Sequence, residues 1–240
     1  MTTASALSSF LRAVKNSKSR EFLITTRVIH DLTVAAAVSG YDLLVYTPTV
    51  DRDGFDLILD DRDRLLPLQL KSVIGGGRAA KWAIHRSLLR PERREVEWFG
   101  FEPSPCGEGR GGGVCLIEIQ SNEASVDIIY RFTDICILAA IWLGLIQRSA
   151  ASKKRLDKLR IDLAAHPNGK VNVSRSAFVR ARTPEALLAL AGLHSRHNIS
   201  WRNSLYDLAR LEYQGQQPSS APAHELRALV REELKELTSK

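Results

Sequence analysis

Two short segments in the first third of the chain carry polar side chains at spacings that bear on chemistry. The segment FDLILD contains Asp56, and the segment LLPLQLKSV contains Gln69 and Lys71 two residues apart. Because side chains alternate between the two faces of a strand, Gln69 and Lys71 share one face. A buried charge without partners is costly, so on an apolar sheet face these groups must pair with each other, a metal or a ligand. The alternative places them on a solvent face, with Asp56 and Lys71 as an ordinary cross-strand ion pair.

The spacing of these two segments predicts a β-hairpin that brings Asp56 next to Gln69. If residues 61–64 form a four-residue loop, the residues flanking the loop pair with each other and Asp56 lies directly opposite Gln69. The Cβ atoms of opposite residues are roughly 5 Å apart, and Lys71 lies one diagonal step away. A slip of one residue would abolish this arrangement, so the register is itself a hypothesis.

The elements around the hairpin alternate between helical and extended patterns. Residues 20–39 carry an apolar stripe without Pro or Gly, and Gly40 follows where a helix C-cap belongs. A helix capped by Thr133 is predicted over residues 133–150. Strands are predicted at 41–50, 55–60, 65–73 and 114–120, and residues 79–89 are predicted to continue the same sheet. These are followed by a basic helix at 152–166, a strand at 170–179 and a helix at 183–193. The order predicts an α/β fold with a central mixed β-sheet flanked by helices and a helical C-terminal extension.

Three regions are predicted along the chain: an N-terminal helical segment over 1–19, an α/β domain over 20–195, and a helical C-terminal extension over 196–240. Leu7, Phe10, Leu11 and Val14 form one apolar face of the first segment. Residues 214–223 (QGQQPSSAPA) have the composition of a linker, and a charged terminal helix follows them. We expect this helix to be the element through which a homodimer or a partner protein would assemble.

Composition narrows the class of protein and its partners. The 240-residue chain has a formal net charge of +7, which permits contact with phosphate backbones without requiring it. It has three cysteines and no C-x-x-C pair, which argues against a disulfide framework or a zinc knuckle and favours a reducing, cytoplasmic setting. The most apolar run, residues 135–146, is too short to span a bilayer, so no membrane partner is expected.

The segment DGFDLILDDRDRLLPLQLKS, residues 53–72, resembles the core signature of the PD-(D/E)XK, or restriction-endonuclease-like, nuclease family. The pattern is an Asp, a hairpin and then (Glu/Gln)-x-Lys on the next strand. The resemblance is strongest to the Mrr-like branch, in which the second carboxylate is often Gln. The preceding helix and the Gly40-Tyr41 step suit the family's opening, and the similarity covers residues 20–75, extending as topology to about residue 195.

The resemblance implies a metal-dependent endonuclease that hydrolyses DNA phosphodiester bonds, in which Asp56, Gln69 and the Leu70 carbonyl hold Mg²⁺ or Mn²⁺. Lys71 would orient the attacking water or help to deprotonate it. Glu21 is the candidate for the family's helix carboxylate, and Asp31 is a poorer one. An acidic residue that favours a helix N-terminus is an equally good interpretation of Glu21.

A second interpretation keeps the fold and removes the activity. The neutral Gln69 deprives the metal of one negative charge, which suits a catalytically inactive nuclease-fold protein that binds nucleic acid or another protein. The basic run KKRLDKLR, residues 153–160, is compatible with contact to a phosphate backbone, although a solvated helix face is the simpler interpretation.

Overall fold

The computed structural model describes residues 6–49, 54–75, 77, 79–92, 96–102, 109–121, 125–166, 168–215 and 220–238. The strands in chain order are β1 (Leu44–Tyr46), β2 (Leu57–Asp60), β3 (Leu65–Ile74), β4 (Lys81–His85), β5 (Gly113–Ser121), β6 (Val126–Asp134), β7 (Lys170–Ser174) and β8 (Val179–Arg180). The helices are α1 (Ala6–Arg12), α2 (Ser17–Val38), α3 (Ile135–Trp142), α4 (Ala150–Ala165), α5 (Pro184–Ala191), α6 (Ser200–Tyr213) and α7 (Ala221–Leu237).

A six-stranded mixed sheet flanked by helices forms the centre of the α/β fold, as predicted. Its strand order is β1-β2-β3-β5-β6-β8. All neighbouring pairs are antiparallel except β3 and β5, which run parallel. β5 lies between β3 and β6 and is buried along most of its length. β3 lies in the interior of the sheet, so the segment that contains Gln69 and Lys71 is next to the core and not at a sheet edge.

The long helix α2 packs beside α5 and is joined to β6 by a hydrogen bond from Tyr130 Oη to Asp31 Oδ2. Ile24, Val28, Leu32 and Ala36 recur at helical spacing and are its buried positions, so one stripe of the helix faces the core. Gly40 follows the helix with φ +81°, as expected for the residue that ends it. At the N-terminus, Leu11 is buried in α1 whereas Val14 is exposed, so Val14 does not belong to the predicted apolar face.

The prediction that residues 79–89 continue the main sheet is wrong. β4 pairs antiparallel with β7 in a separate two-stranded ribbon, with Lys81 opposite Ser174 and His85 opposite Lys170. The reason is that β3 already has β2 on one side and β5 on the other, so the next strand along the chain finds no open edge there. The predicted late strand at 170–179 is divided between β7 and β8 by a 3₁₀ turn.

The helix predicted over residues 133–150 is also wrong in its limits. Residues 126–134 form strand β6, and α3 begins only at Ile135. The capping residue is Asp134, whose Oδ1 accepts a hydrogen bond from Ile137 N at 2.8 Å, and Thr133 belongs to the strand. α3 ends at Trp142, short of the predicted residue 150, and its apolar residues are almost all buried.

The C-terminal helices α6 and α7 pack against each other and contribute to the same hydrophobic core as the sheet. Trp201, Leu205, Leu208 and Val230 are their most deeply buried apolar residues. Residues 216–219 of the predicted linker lie outside the described residues, as does Cys106, whereas Cys115 and Cys136 are buried free thiols. None of the described helices has both the length and the apolar character that crossing a bilayer demands.

Candidate functional site

The hairpin of β2 and β3 has the register that the sequence predicts. Asp60 pairs with Leu65 at the loop end, and the pairing runs without a slip to Leu57 opposite Leu68. The pairing ends there, so the predicted pairing of Asp56 with Gln69 is not part of the ladder. The four-residue loop 61–64 therefore determines which side chains meet at the other end of the hairpin.

Asp56 is held against β3 by two hydrogen bonds of different kinds. Its backbone N donates to Leu68 O at 2.9 Å, although Leu68 already pairs with Leu57, so Asp56 does not continue the ladder to Gln69. Its side-chain Oδ2 accepts a hydrogen bond from Leu70 N at 2.6 Å. Because a main-chain amide of β3 is the donor, the carboxylate has a defined position beside the strand that carries Lys71.

A cavity of about 290 Å³ lies at this end of the hairpin, between β3 and the N-terminal half of α2. Three of the predicted site residues, Glu21, Asp56 and Lys71, line it together, and Leu70 lines it as well. We call it the Asp56 cavity. Its other lining residues are Ser17, Arg20, Ile24, Thr25, Ser72, Trp82 and Ile117.

Glu21 lies on the face of α2 that lines the Asp56 cavity, and α2 begins earlier than the sequence suggests. The helix starts at Ser17, so Glu21 lies in its second turn, beyond the region where a helix N-terminus favours an acidic residue. Ser17, Arg20, Glu21 and Ile24 follow the spacing of one helix face, and all four line the cavity. The placement favours Glu21 as the acid that α2 contributes to this site.

Asp31, the other candidate on α2, lies in a different environment. Its Oδ2 accepts a hydrogen bond from Tyr130 Oη at 2.7 Å, and its Oδ1 accepts one from Arg27 Nε at 2.8 Å. Burial raises the pKa of Asp31, but hydrogen bonds with Tyr130, His30 and Arg27 outweigh it and hold the pKa below its ordinary value of 3.8. Asp31 therefore joins α2 to β6 and does not line the Asp56 cavity.

The variant Asp31→Asn is expected to unfold with a free energy about 1–3 kcal/mol below wild type at neutral pH, because charge-assisted hydrogen bonds are lost. The folded pKa is lowered, so this contribution is complete above about pH 4 and disappears as the pH falls through the folded pKa. Urea denaturation at pH 7 and at pH 3 measures the difference. A deficit that is the same at both pH values would contradict the assignment.

Gln69 follows Leu68, where the β2–β3 pairing ends, and the structure separates it from the open cavity. Its side chain is 5% exposed, and its Oε1 is buried with no hydrogen-bond partner among the described residues. It is absent from the residues that line the Asp56 cavity. A buried amide oxygen without a partner is an unsatisfied acceptor, which suits a group that ligates a cation.

Gly54 allows the chain to pass close to this buried amide. Its φ is +77°, and a Cβ added there would lie 2.8 Å from His85 Cβ and 3.5 Å from Gln69 Nε2. His85 is itself fixed by a hydrogen bond between its Nδ1 and Ser87 Oγ at 2.7 Å, which leaves it little freedom to withdraw. Gly54 is therefore required both by its backbone conformation and by the lack of space.

We expect Gly54→Ala to lower the free energy of unfolding by about 1–3 kcal/mol, through backbone strain and contact with His85. Gly40→Ala is the matched control, since its φ is +81° but nothing lies within 4 Å of an added Cβ. Chemical denaturation of both variants gives the strain alone from Gly40→Ala and the steric contribution from the difference. If both variants lose the same free energy of unfolding, contact with His85 contributes nothing to the destabilisation.

The groups around Asp56 fit a hard divalent cation. Asp56 and Glu21 offer carboxylates and Leu70 offers a main-chain carbonyl in the lining of the cavity, all of them oxygen donors of the type Mg²⁺ takes. Gln69 Oε1 is an unsatisfied oxygen donor outside that lining. Among the described residues, no group of three or more His, Cys, Asp or Glu side chains converges to hold a metal. Of the predicted ligands, Asp56 and Leu70 line the cavity and Gln69 does not.

Sequence reasoning missed several residues that line the Asp56 cavity. Ser17, Arg20 and Thr25 share the helix face of Glu21, a relation that the helical period would have revealed once the helix start was known. Trp82 comes from the β4–β7 ribbon, whose position has no signal in the local sequence. No protein-family model matches the chain, and neither a curated protein nor a solved structure matches it.

Proposed function

We propose that this protein is a Mg²⁺- or Mn²⁺-dependent endonuclease that hydrolyses DNA phosphodiester bonds at the Asp56 cavity. The proposal rests on one observation: Glu21, Asp56 and Lys71 line one cavity. Glu21 lies on α2, Asp56 directly precedes β2 and Lys71 lies on β3. Acidic groups that hold a cation next to an ammonium group can catalyse phosphodiester hydrolysis. Resemblance of residues 53–72 to the PD-(D/E)XK signature supports the same activity.

Each residue has a role set by its chemistry. Asp56, with one carboxylate oxygen fixed by Leu70 N, would hold the cation together with the Leu70 carbonyl. Gln69 Oε1 is the third proposed ligand, and it would have to turn toward the cavity, which it does not line. When bound, the cation would supply Lewis acidity and neutralise charge on the scissile phosphate. The Lys71 ammonium would orient the attacking water and stabilise the negative charge that builds on the phosphoryl oxygens. Glu21 would lie across the cavity from β3, as a second acid.

Hydrolysis joins the oxygen of a water molecule to phosphorus and breaks one phosphorus–ester oxygen bond. The water loses a proton and the departing ester oxygen gains one, so no oxidant or other reactant is required. Trp82 and Ile117 give the cavity an apolar wall, which limits the water around the reacting groups and strengthens their electrostatic interactions.

The test is cleavage of supercoiled and linear DNA in Mg²⁺, in Mn²⁺ and in EDTA, with wild type beside Asp56→Ala and Lys71→Ala. The proposal expects metal-dependent cleavage by wild type and its loss in both variants. Absence of cleavage by wild type in every metal would overturn it, and cleavage that persists in both variants would point to a contaminating nuclease.

A second candidate function is a nuclease-fold protein that binds nucleic acid or a partner without cutting. The position of Gln69 favours it, because a neutral side chain that does not line the open cavity is a weak substitute for a second carboxylate at a metal. DNA binding by wild type in the absence of any cleavage would select this function over the first.

A further inference from the structure

A second cavity, of about 330 Å³, lies between α4 and the outer face of the β4–β7 ribbon. We call it the basic groove. In β4, Lys81 is exposed and Trp82 is buried, so the ribbon has an apolar inner face and a polar outer one. Since Lys81 pairs with Ser174 and His85 pairs with Lys170, Lys81 and Lys170 lie toward opposite ends of the ribbon. The groove therefore has cations along much of its length.

The charge of the basic groove is strongly one-sided. Five basic side chains line it, with one acidic residue; the full lining is Lys81, Arg86, Arg155, Lys158, Leu159, Asp162, Lys170, Val171, Asn172 and Ser174. On α4, Arg155, Lys158, Leu159 and Asp162 follow the spacing of one helix face. Two cations of the KKRLDKLR run are thus turned toward the ribbon.

The cations of the basic groove are placed for an external anion. Among the described residues, no ion pair involves Lys81, Lys158 or Lys170. Arg86 is fixed by donating to two main-chain carbonyls, those of Asp162 and Asn168, at 3.2 and 3.0 Å. Neither bond neutralises its charge, so the positive potential in the groove persists where a polyanion would meet it.

The basic groove and the Asp56 cavity are neighbours across one strand. Lys81 lines the groove and Trp82 lines the Asp56 cavity, and their Cα atoms are about 3.8 Å apart along the chain. Successive side chains of a strand point to opposite faces, so β4 forms part of the wall of both sites. A chain of phosphates that passed the ribbon could therefore contact both sites.

We propose that the basic groove binds the phosphate backbone of a nucleic acid at a site separate from the Asp56 cavity. The identification of the polyanion as nucleic acid rests on the proposed function. Among the described residues, no aromatic side chain lines the groove, so the contact is with phosphates and not with stacked bases. Lysine ammonium groups act as point charges toward phosphate, so the contact is independent of sequence and sensitive to salt.

The test compares Lys158→Glu with Lys153→Glu, which makes the same change of charge on the same helix. Lys158 lines the groove, whereas Lys153 is exposed and does not. Both variants are made in the full chain with Asp56→Asn, so that DNA stays intact. Fluorescence anisotropy with a labelled duplex gives the dissociation constant over a range of salt concentrations, and thermal unfolding checks that both variants are folded.

We expect Lys158→Glu to weaken DNA binding roughly tenfold and to lower the salt slope by about one, whereas Lys153→Glu changes binding less than about twofold. Equal effects of the two variants would overturn the groove, because only the net charge would then matter. Binding to anionic lipid vesicles is measured for the same variants. If Lys158→Glu loses binding to the vesicles but binds DNA as before, the groove proposal is overturned and a membrane surface is the ligand.

The outcomes separate this inference from the proposed function. If wild type with Asp56 intact never cleaves DNA but binding depends on Lys158, the groove stands and the nuclease proposal fails. If wild type cleaves and binding is indifferent to Lys158, the nuclease proposal stands and the groove fails. If the protein does not bind DNA at any salt concentration, both fail.

Discussion

Asp56→Asn is expected to slow metal-dependent DNA cleavage at least about 10³-fold, because it removes the charged ligand of the proposed cation site. The amide has the shape of the carboxylate, and its oxygen can still accept the hydrogen bond from Leu70 N, so the end of the hairpin should keep its structure. Initial rates on supercoiled DNA measure the activity. Titration with Mn²⁺, followed by electron paramagnetic resonance, measures metal binding independently and is expected to show weaker binding.

The matched control is Asp42→Asn, which removes the same charge from a side chain that is 76% exposed and outside the Asp56 cavity. It should cleave DNA and bind Mn²⁺ as wild type does. If Asp56→Asn binds Mn²⁺ as tightly as Asp42→Asn does, then Asp56 is not a ligand, whatever the cleavage rates. A lower unfolding temperature of Asp56→Asn alone would instead indicate that the carboxylate mainly stabilises the hairpin.

The largest expected effect on stability comes from the buried ion pair between Asp134 and Arg202. Arg202 Nη2 donates to Asp134 Oδ2 at 2.7 Å, and Nη1 donates to Leu190 O at 2.7 Å. Both side chains are almost completely buried: that of Arg202 is 6% exposed and that of Asp134 is 1% exposed. Burial lowers the pKa of Arg202, but the charge of Asp134 outweighs it and the pKa lies above its ordinary value. The pair joins α6 to the end of β6 and the start of α3.

Arg202→Met is expected to lower the free energy of unfolding by about 3–5 kcal/mol, since it leaves the Asp134 carboxylate buried without its partner. Urea denaturation at neutral pH measures the loss. Adding Asp134→Asn should recover a large part of it, because the amide is neutral and its oxygen can still cap α3 by accepting from Ile137 N. Failure of the double variant to recover would mean that lost packing of the Arg202 side chain, not the unpaired charge, is responsible.

Arg210→Met is the control on the same helix. Arg210 forms an ion pair with Asp207 at 3.1 Å, but both side chains are about half exposed. An exposed pair contributes about 0–1 kcal/mol, so this variant should be close to wild type in stability. The comparison isolates burial as the source of the effect at Arg202.

The local sequence determined the hairpin that carries Asp56 and Lys71. A four-residue polar loop between two apolar strands leaves one register in which the apolar side chains of both strands face the core, and the structure has that register. The helix before the hairpin is likewise predicted by local features, namely its apolar stripe and the Gly40 that follows it. Short-range features of this kind are predictable because backbone geometry and side-chain periodicity decide them.

The tertiary structure decided which residues join the hairpin at the site. Glu21 and Trp82 reach the Asp56 cavity only because α2 lies across the sheet and β4 leaves it to pair with β7. The same is true of Asp134 and Arg202, which meet across 68 residues of chain. No local pattern encodes such meetings, because they depend on how the sheet edges are filled and how the helices pack. The sequence by itself determined the hairpin and its candidate chemistry, and long-range packing decided its surroundings.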